Sequence, residues 1–222
     1  MKSDQLKKLV EQLRKLDTTS VSDALDKLGI AGGLKDIKPV VPGVSLCGPA
    51  FTVRYIPCGE TRGTVGDFLD DVAPGEVVVL DNGGRIYCTV WGDIMSILAS
   101  QKGIEGTVID GVCRDIPAIQ KLKYPIFTKG YYMVTGKDRV EVAEINGTVA
   151  LSGVQVKRND LILGDGSGVV VIPLERAEEV IRVSNHIAEQ EAAIEREILG
   201  GAGLGEARAK HNYHKLQSKP EK

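Results

Sequence analysis

Asp93 and the adjacent pair Arg114-Asp115, with 20 residues between Asp93 and Arg114, are the residues of this chain best suited to chemistry. Two carboxylates and one guanidinium gathered in a cleft suit a hard divalent metal and an anionic substrate. Carboxylate oxygens bind Mg2+-like ions, and a guanidinium forks onto a substrate carboxylate. Each type also has a plain structural use. An aspartate at a helix start is commonly a cap worth about 1 kcal/mol, and Arg-Asp in a loop is commonly a surface pair of little energetic weight. The elements around them decide between these uses.

Residues 76–81 (EVVVLD) form the short apolar run of a buried parallel strand, and Asn82-Gly83-Gly84 is expected to break it. Gly92-Asp93 opens a helix with Ile94, Ile97 and Leu98 on one face, stopped by Gly103. Residues 106–110 (GTVID) read as the next strand and 111–115 (GVCRD) as the loop beyond it. Pro117 suits the first turn of a helix over 116–122, and Tyr124-Pro125 resets the chain into another strand. In this β-α-β-α-β layout, right-handed crossovers place successive strand C-termini on one edge of the sheet. Asp93 and Arg114-Asp115 are therefore predicted to converge on one cleft.

The same stretches resemble a family signature. Trp91-Gly92-Asp93, Gly103-Ile104-Glu105-Gly106 and Val108-Ile109-Asp110-Gly111-Val112-Cys113-Arg114-Asp115 look like the D-X20-R-D motif. That motif is shared by class II 4-hydroxy-4-methyl-2-oxoglutarate aldolases and the regulator of ribonuclease activity A proteins. Residues 19–28 (TSVSDALDKL), 48–53 (GPAFTV) and 164–173 (GDGSGVVVIP) resemble the family's N-terminal pattern and late strand, so the similarity runs over roughly 15–185. It implies a single α/β domain over 1–205, a layered sandwich akin to phosphohistidine swivelling domains, with a mixed sheet and a long C-terminal helix. A polar tail over 206–222 follows.

The resemblance further implies a Mg2+- or Mn2+-dependent lyase acting on pyruvate-containing acids, as a homotrimer or a dimer of trimers. Carried over by position, Asp115 is the one direct protein ligand of the metal, with waters completing the shell. Arg114 binds the substrate's carboxylate and keto oxygen. Gly92, Asp93, Ile94 and Met95 form a loop that cradles the pyruvoyl end through backbone N–H groups, and Asp93 orients a catalytic water. Some family enzymes add an acidic residue from a neighbouring subunit's C-terminal segment, for which Glu195, Glu197 and Glu206 all qualify. Retro-aldol cleavage and oxaloacetate decarboxylation pass through the same pyruvate enolate, so one such site can perform either. Two rival expectations stand beside this one: a regulator that binds an endoribonuclease on the same scaffold, and a lyase for another substrate such as a sugar acid. Arg54, Arg62 and Arg85 are candidates for a distal substrate carboxylate.

Composition narrows the classes. A chain of 222 residues buries a sizeable core as one domain, and its 42% hydrophobic and 26% charged content is ordinary for a globular protein. A net charge of −2 and 5% aromatics offer neither the basic surface nor the stacking platforms of a nucleic-acid binder. No apolar run reaches the ~18 residues of a membrane span, and residues 1–16 lack the apolar core of a signal peptide, so the cytoplasm is the expected location. Cys47, Cys58, Cys88 and Cys113 contain no C-x-x-C pair and read as reduced thiols. Cys113 lies beside Arg114, but no histidine is near it in sequence, which argues against a thiol nucleophile. His211 and His214 fall in a stretch, 210–222, that reads as a frayed tail and not as a metal site. Gly-Asp-Gly-Ser-Gly at 164–168 precedes a strand and lacks the lysine of a phosphate loop, so it reads as a tight turn, with Asp165 able to approach the site edge. The other elements expected are helices over 1–16, 21–28 and 64–71 and a one-faced strand over 50–55. A strand-rich stretch over 132–163 with a hairpin at Asn146-Gly147 and a long helix over 173–199 complete the set.

Overall fold

The computed structural model describes residues 3–60 and 63–216; Arg62 and residues 217–222 lie outside them. The strands are β1 (Lys38–Pro39), β2 (Leu46–Pro57), β3 (Val77–Thr89), β4 (Gly106–Cys113), β5 (Ile126–Tyr131), β6 (Val140–Ile145), β7 (Val149–Leu151), β8 (Val154–Val156), β9 (Leu161–Asp165) and β10 (Gly168–Ile172). The helices are α1 (Ser3–Leu13), α2 (Thr18–Lys27), α3 (Asp93–Gln101), α4 (Ile116–Leu122), α5 (Ala177–Leu199), α6 (Leu204–Lys210) and α7 (Tyr213–Leu216).

The strands β2, β3, β4 and β5 run parallel in the centre of an eight-stranded sheet ordered β1-β5-β4-β3-β2-β9-β10, and β6 adds antiparallel to the far half of β2. Parallel strands are covered on both faces, which is why Val77, Val78, Val79 and Leu80 are all completely buried. One face, with Phe51, Val78, Leu80 and Ile109, packs under Trp91, Ala99 and Ile119 of the α3–α4 side. The other, with Val79, Val108 and Phe127, packs under Val149, Leu151, Val154 and Val156 of the β7–β8 ribbon. A third cluster joins α1, α2 and α5 to β9 and β10. This mixed sheet with a long C-terminal helix is the α/β architecture that the resemblance implied.

Several local expectations need correction. Asn82-Gly83-Gly84 does not break the strand: β3 continues to Thr89 through register shifts against β4 at Asp81/Arg85 and Arg85/Thr89. Gly83 and Gly84 take φ of +58° and +68°, a bulge conformation that glycine enters at little cost and that leaves pairing intact on both sides. The hairpin is not at Asn146-Gly147. There the Asn146 N–H donates to the Thr52 carbonyl and the Thr52 hydroxyl to the Gly147 carbonyl, so β6 stays on β2. The two-residue turn is Ser152-Gly153, both at positive φ, joining β7 to β8. That ribbon is tied to the sheet by Ala150 N–H on Asp81 Oδ2 (3.2 Å) and Ser152 N–H on Asp110 Oδ2 (3.1 Å).

The third correction concerns the C-terminus. Up to residue 216 the expected tail is helical and packed: Ala207 and Leu216 are buried, and His211 Nε2 lies 2.9 Å from Glu197 Oε1 on α5. Gly200 and Gly201 end α5 and turn the chain back along it, so a polar stretch docks through a few small or apolar contacts. The 164–168 segment is a tight turn, as expected. Asp165, however, accepts from the Thr18 N–H and hydroxyl (both 2.8 Å) and ties α2 to this turn instead of approaching the site. The stretch 64–71 shortens to a 3-10 turn, Asp67–Asp71.

The start of α2 carries a testable cap. Asp17 Oδ1 accepts from the Ser20 N–H at 2.7 Å and from the Thr19 and Ser20 hydroxyls. Partial burial by itself raises the Asp17 pKa, but these bonds outweigh it and hold the carboxyl below its usual range. Asp17→Ala is expected to lower stability by about 1 kcal/mol at neutral pH. Because the folded pKa is depressed, this stabilisation is present above the unfolded value of about 3.9 and fades as pH falls through the folded one. Urea melts of both proteins from pH 7 to pH 3 should converge on the acid side; a constant gap would contradict the assignment.

Candidate functional site

The structure brings the Asp93 backbone N–H to Arg114 and Asp115 at the C-terminal edge of the parallel strands, while the Asp93 carboxylate stays on its own helix start. Asp115 follows β4 and starts α4 with φ 61°, a left-handed conformation that aspartate tolerates better than most residues. Its carbonyl accepts from the Ala118 and Ile119 N–H groups, and Pro117 sits in the first turn, where no N–H is missed. The Asp115 side chain is thereby turned toward the preceding crossover: Oδ2 lies 3.3 Å from the Asp93 N–H and 3.3 Å from Arg114 Nε.

The opposing loop is equally constrained. The Trp91 carbonyl accepts from the Arg114 N–H at 3.1 Å. The Trp91 indole stacks on Tyr124 with centroids 6.1 Å apart and donates to Ser96 Oγ, which in turn donates to the Gly92 carbonyl. Between these fixed points Gly92 passes so close to the charged pair that a Cβ there would lie 2.6 Å from Asp115 Oδ2 and 3.3 Å from Arg114 Nε. The backbone can bring the start of α3 this near the carboxylate only because residue 92 has no side chain.

The predicted site residues divide by role. Asp93 is half-buried, with Oδ1 accepting from the Ile94 N–H at 2.8 Å. Arg114 and Asp115 are partly exposed at the mouth of a cleft of about 540 Å³. Met95 packs its side chain into the core toward Gly66, and Ile94 is 77% exposed, so these two bring backbone rather than side chains to the site. The apolar face foreseen on α3 is thus split: Leu98 is partly buried, whereas Ile94 and Ile97 face solvent. Arg54 pairs with Glu144 at 3.1 Å and Arg85 donates to the Asn82 carbonyl at 2.8 Å, so both are held by the chain's own acceptors. Glu197 is bound to Lys210 and His211, while Glu195 and Glu206 are exposed. Cys113 is buried, and burial pushes its thiol up to about 12, which removes it as a nucleophile at neutral pH.

The donor set fits a water-rich hard cation. Both contacts to Asp115 fall on Oδ2, and among the described residues Oδ1 takes no hydrogen bond. No group of three or more His, Cys, Asp or Glu side chains that could cage a metal exists among the described residues. A single carboxylate oxygen without a protein partner would leave a bound hard cation most of its waters, which is how Mg2+-like ions are commonly held.

The rest of the cleft wall, Ile116, Pro117, Tyr131, Tyr132 and Met133, carries no motif in the sequence. Strand pairing sets Tyr131 opposite Cys113, and the Tyr132 N–H donates to the Cys113 carbonyl at 2.9 Å, which places this run beside Arg114. The available signal was an aromatic pair plus methionine just past a strand end, in a chain poor in aromatics.

Comparison with known proteins identifies the family of the chain. A family profile described as RraA-like, Aldolase/RraA, matches residues 18–171. The chain is 39% identical over 217 residues to protein DlpA of Legionella pneumophila, which covers 96% of this chain but only 35% of DlpA. It is 34% identical over 189 residues, 85% of this chain and 88% of the relative, to a Halalkalibacterium halodurans protein named "Putative 4-hydroxy-4-methyl-2-oxoglutarate aldolase". A crystal structure of a protein from Pseudomonas syringae pv. tomato, 40% identical, superposes with a TM-score of 0.86 over 91% of this chain and 97% of that one. No helix among the described residues is long and apolar enough to cross a membrane. With a profile spanning well over half of its length and relatives matched along most of it, the chain belongs to the RraA-like, Aldolase/RraA family.

Proposed function

We propose that this protein is a divalent-metal-dependent carbon–carbon lyase that releases pyruvate from a 2-oxo acid, by retro-aldol cleavage or by decarboxylation of oxaloacetate. The observation that carries the reading is the convergence of the Asp93 N–H, the Asp115 carboxylate and the Arg114 guanidinium around Gly92. A helix start, a fixed cation and an accessible carboxylate oxygen are together what a 2-oxo carboxylate needs.

In this reading Arg114 holds the substrate carboxylate and keto oxygen. Its guanidinium is charged at every working pH and supplies positive charge where the keto oxygen gains electron density. The first-turn amides of α3 already attract carboxylate oxygens, since Asp93 N–H and Ile94 N–H donate to Asp115 and Asp93. A substrate carboxylate at the same helix end would be held by the same preference. Asp93, its carboxylate fixed by the Ile94 N–H, orients the water that takes the proton from the substrate's 4-hydroxyl. Asp115 would hold Mg2+ or Mn2+, which when bound supplies Lewis-acid polarisation of the keto group. The same reading makes the protein a homotrimer or a dimer of trimers.

Pyruvate release from oxaloacetate and from 4-hydroxy-4-methyl-2-oxoglutarate, with Mg2+ and with EDTA, tests the proposal. Metal-dependent release is expected from at least one of them, and the ratio of rates says which cleavage the site favours. Silence on both, from folded protein with Mg2+ present, would overturn it.

A further inference from the structure

The two peptide groups that flank Gly92 are each pinned from outside the loop. On one side, the Trp91 carbonyl accepts from the Arg114 N–H at 3.1 Å. On the other, the Gly92 carbonyl accepts from both the N–H and the hydroxyl of Ser96, at 3.1 Å and 2.8 Å. The Ser96 hydroxyl also takes the Trp91 indole N–H at 2.8 Å. Its single proton is therefore committed to Gly92 and a lone pair to the indole. Ser96 and Trp91 are both buried, so water competes for neither bond. The indole itself is anchored to β4: it stacks on Tyr124, whose hydroxyl lies 3.0 Å from Thr107 Oγ1.

A serine hydroxyl bonded back to a carbonyl of the preceding turn is an ordinary helix feature. Here, however, the carbonyl belongs to the peptide group that carries the Asp93 N–H. A trans peptide is planar, with its C=O and N–H pointing opposite ways, so whatever fixes the Gly92 carbonyl also fixes the aim of the Asp93 N–H. That N–H points at Asp115 Oδ2, 3.3 Å away. The hydroxyl adds a second hold on the carbonyl, and the indole N–H strengthens it by polarising the hydroxyl. Resting on the lyase reading, we propose that Ser96 is a positioning residue that aims the Asp93 amide at the substrate's pyruvoyl end through the Gly92 carbonyl. It touches neither substrate nor metal. Asp115 takes its place from the start of α4, through bonds in which Ser96 has no part. Loss of the hydroxyl therefore weakens the anion and spares the metal.

Mn2+ and oxalate, a planar mimic of the pyruvate enolate, are the probes. Calorimetric titration of full-chain Ser96→Ala with Mn2+ should give a Kd within about twofold of the parent's, whereas oxalate should bind the Mn2+-loaded variant at least about fivefold more weakly. The kcat/KM for pyruvate release should fall at least about tenfold, as expected when a site group loses its alignment. Ser96→Thr keeps a hydroxyl that can reach the same carbonyl, and should return oxalate affinity and kcat/KM to within about threefold of the parent. A merely structural serine would lower Tm without separating the two ligands. Unchanged oxalate affinity in folded Ser96→Ala, or equal weakening of oxalate and Mn2+, overturns the assignment. So does a Ser96→Thr protein of parental Tm that binds oxalate no better than the alanine variant. The lyase reading fails separately: a parent that binds oxalate but releases no pyruvate loses the reaction, and Ser96 is then judged by the binding ratios. A parent that binds no oxalate with Mn2+ present loses both.

Discussion

Asp115→Asn is expected to lower kcat/KM for pyruvate release by at least about 10³-fold, equivalent to about 4 kcal/mol of transition-state stabilisation. Asparagine is the informative replacement because residue 115 sits at φ 61°, where Asn is accommodated as well as Asp. It also keeps an oxygen for the Asp93 N–H, now at 3.3 Å. Removed is the negative charge whose free oxygen is the proposed metal contact. The fold should therefore persist, with a Tm close to that of the parent. Calorimetric Mn2+ titration gives a readout independent of turnover, and the variant should bind the ion at least tenfold more weakly. Unaltered turnover in a folded Asn variant would sink the assignment of Asp115. Alanine would confound the test by adding backbone strain at positive φ.

Gly92→Ala should cost about 10²-fold in kcat/KM, the scale expected when a site group moves by about 1 Å. An added Cβ would sit 2.6 Å from Asp115 Oδ2, so something must shift. The easiest thing to shift is the end of the Asp115 side chain, which is also the group the chemistry needs. The predicted signature is lost activity with nearly unchanged stability. Gly48 makes a useful contrast: a Cβ there would run into the Gly75 backbone carbonyl, which cannot swing aside. Gly48→Ala should thus lower Tm, whereas Gly92→Ala should not. Full activity in a folded Gly92→Ala protein would show that the carboxylate's place beside α3 does not matter.

Much of this site is legible in one dimension because its spacing follows from topology. A buried apolar run, a glycine-led helix and a second buried run must form β3-α3-β4. The handedness of that unit puts Asp93 and Arg114-Asp115 on one edge whatever surrounds it. Helix α4 is legible for a similarly local reason, since Pro117 and the αL-tolerant Asp115 mark its start. Where sequence and structure part, a local signal yields to a long-range partner. Asn146-Gly147 has hairpin chemistry, yet Thr52 holds those backbone groups and β6 remains on β2. Asn82-Gly83-Gly84 has the composition of a turn, yet pairing with β4 resumes beyond it and makes it a bulge. Leu204–Lys210 and the short helix after it are polar overall, yet Ala207, Leu216 and the Glu197–His211 contact seat them on α5.

The sequence by itself therefore determined the α/β class and the family. It also determined which carboxylates and which guanidinium share an edge, because crossover geometry converts sequence order into position. Only the tertiary structure decided how closely Gly92 passes Asp115, that Met95 turns into the core, and that Cys113 is buried. It alone decided that Tyr131, Tyr132 and Met133 wall the cleft. Those facts depend on distances between segments that are remote along the chain. A 2.6 Å approach or a buried thiol is a property of packing, which no spacing of residue types encodes.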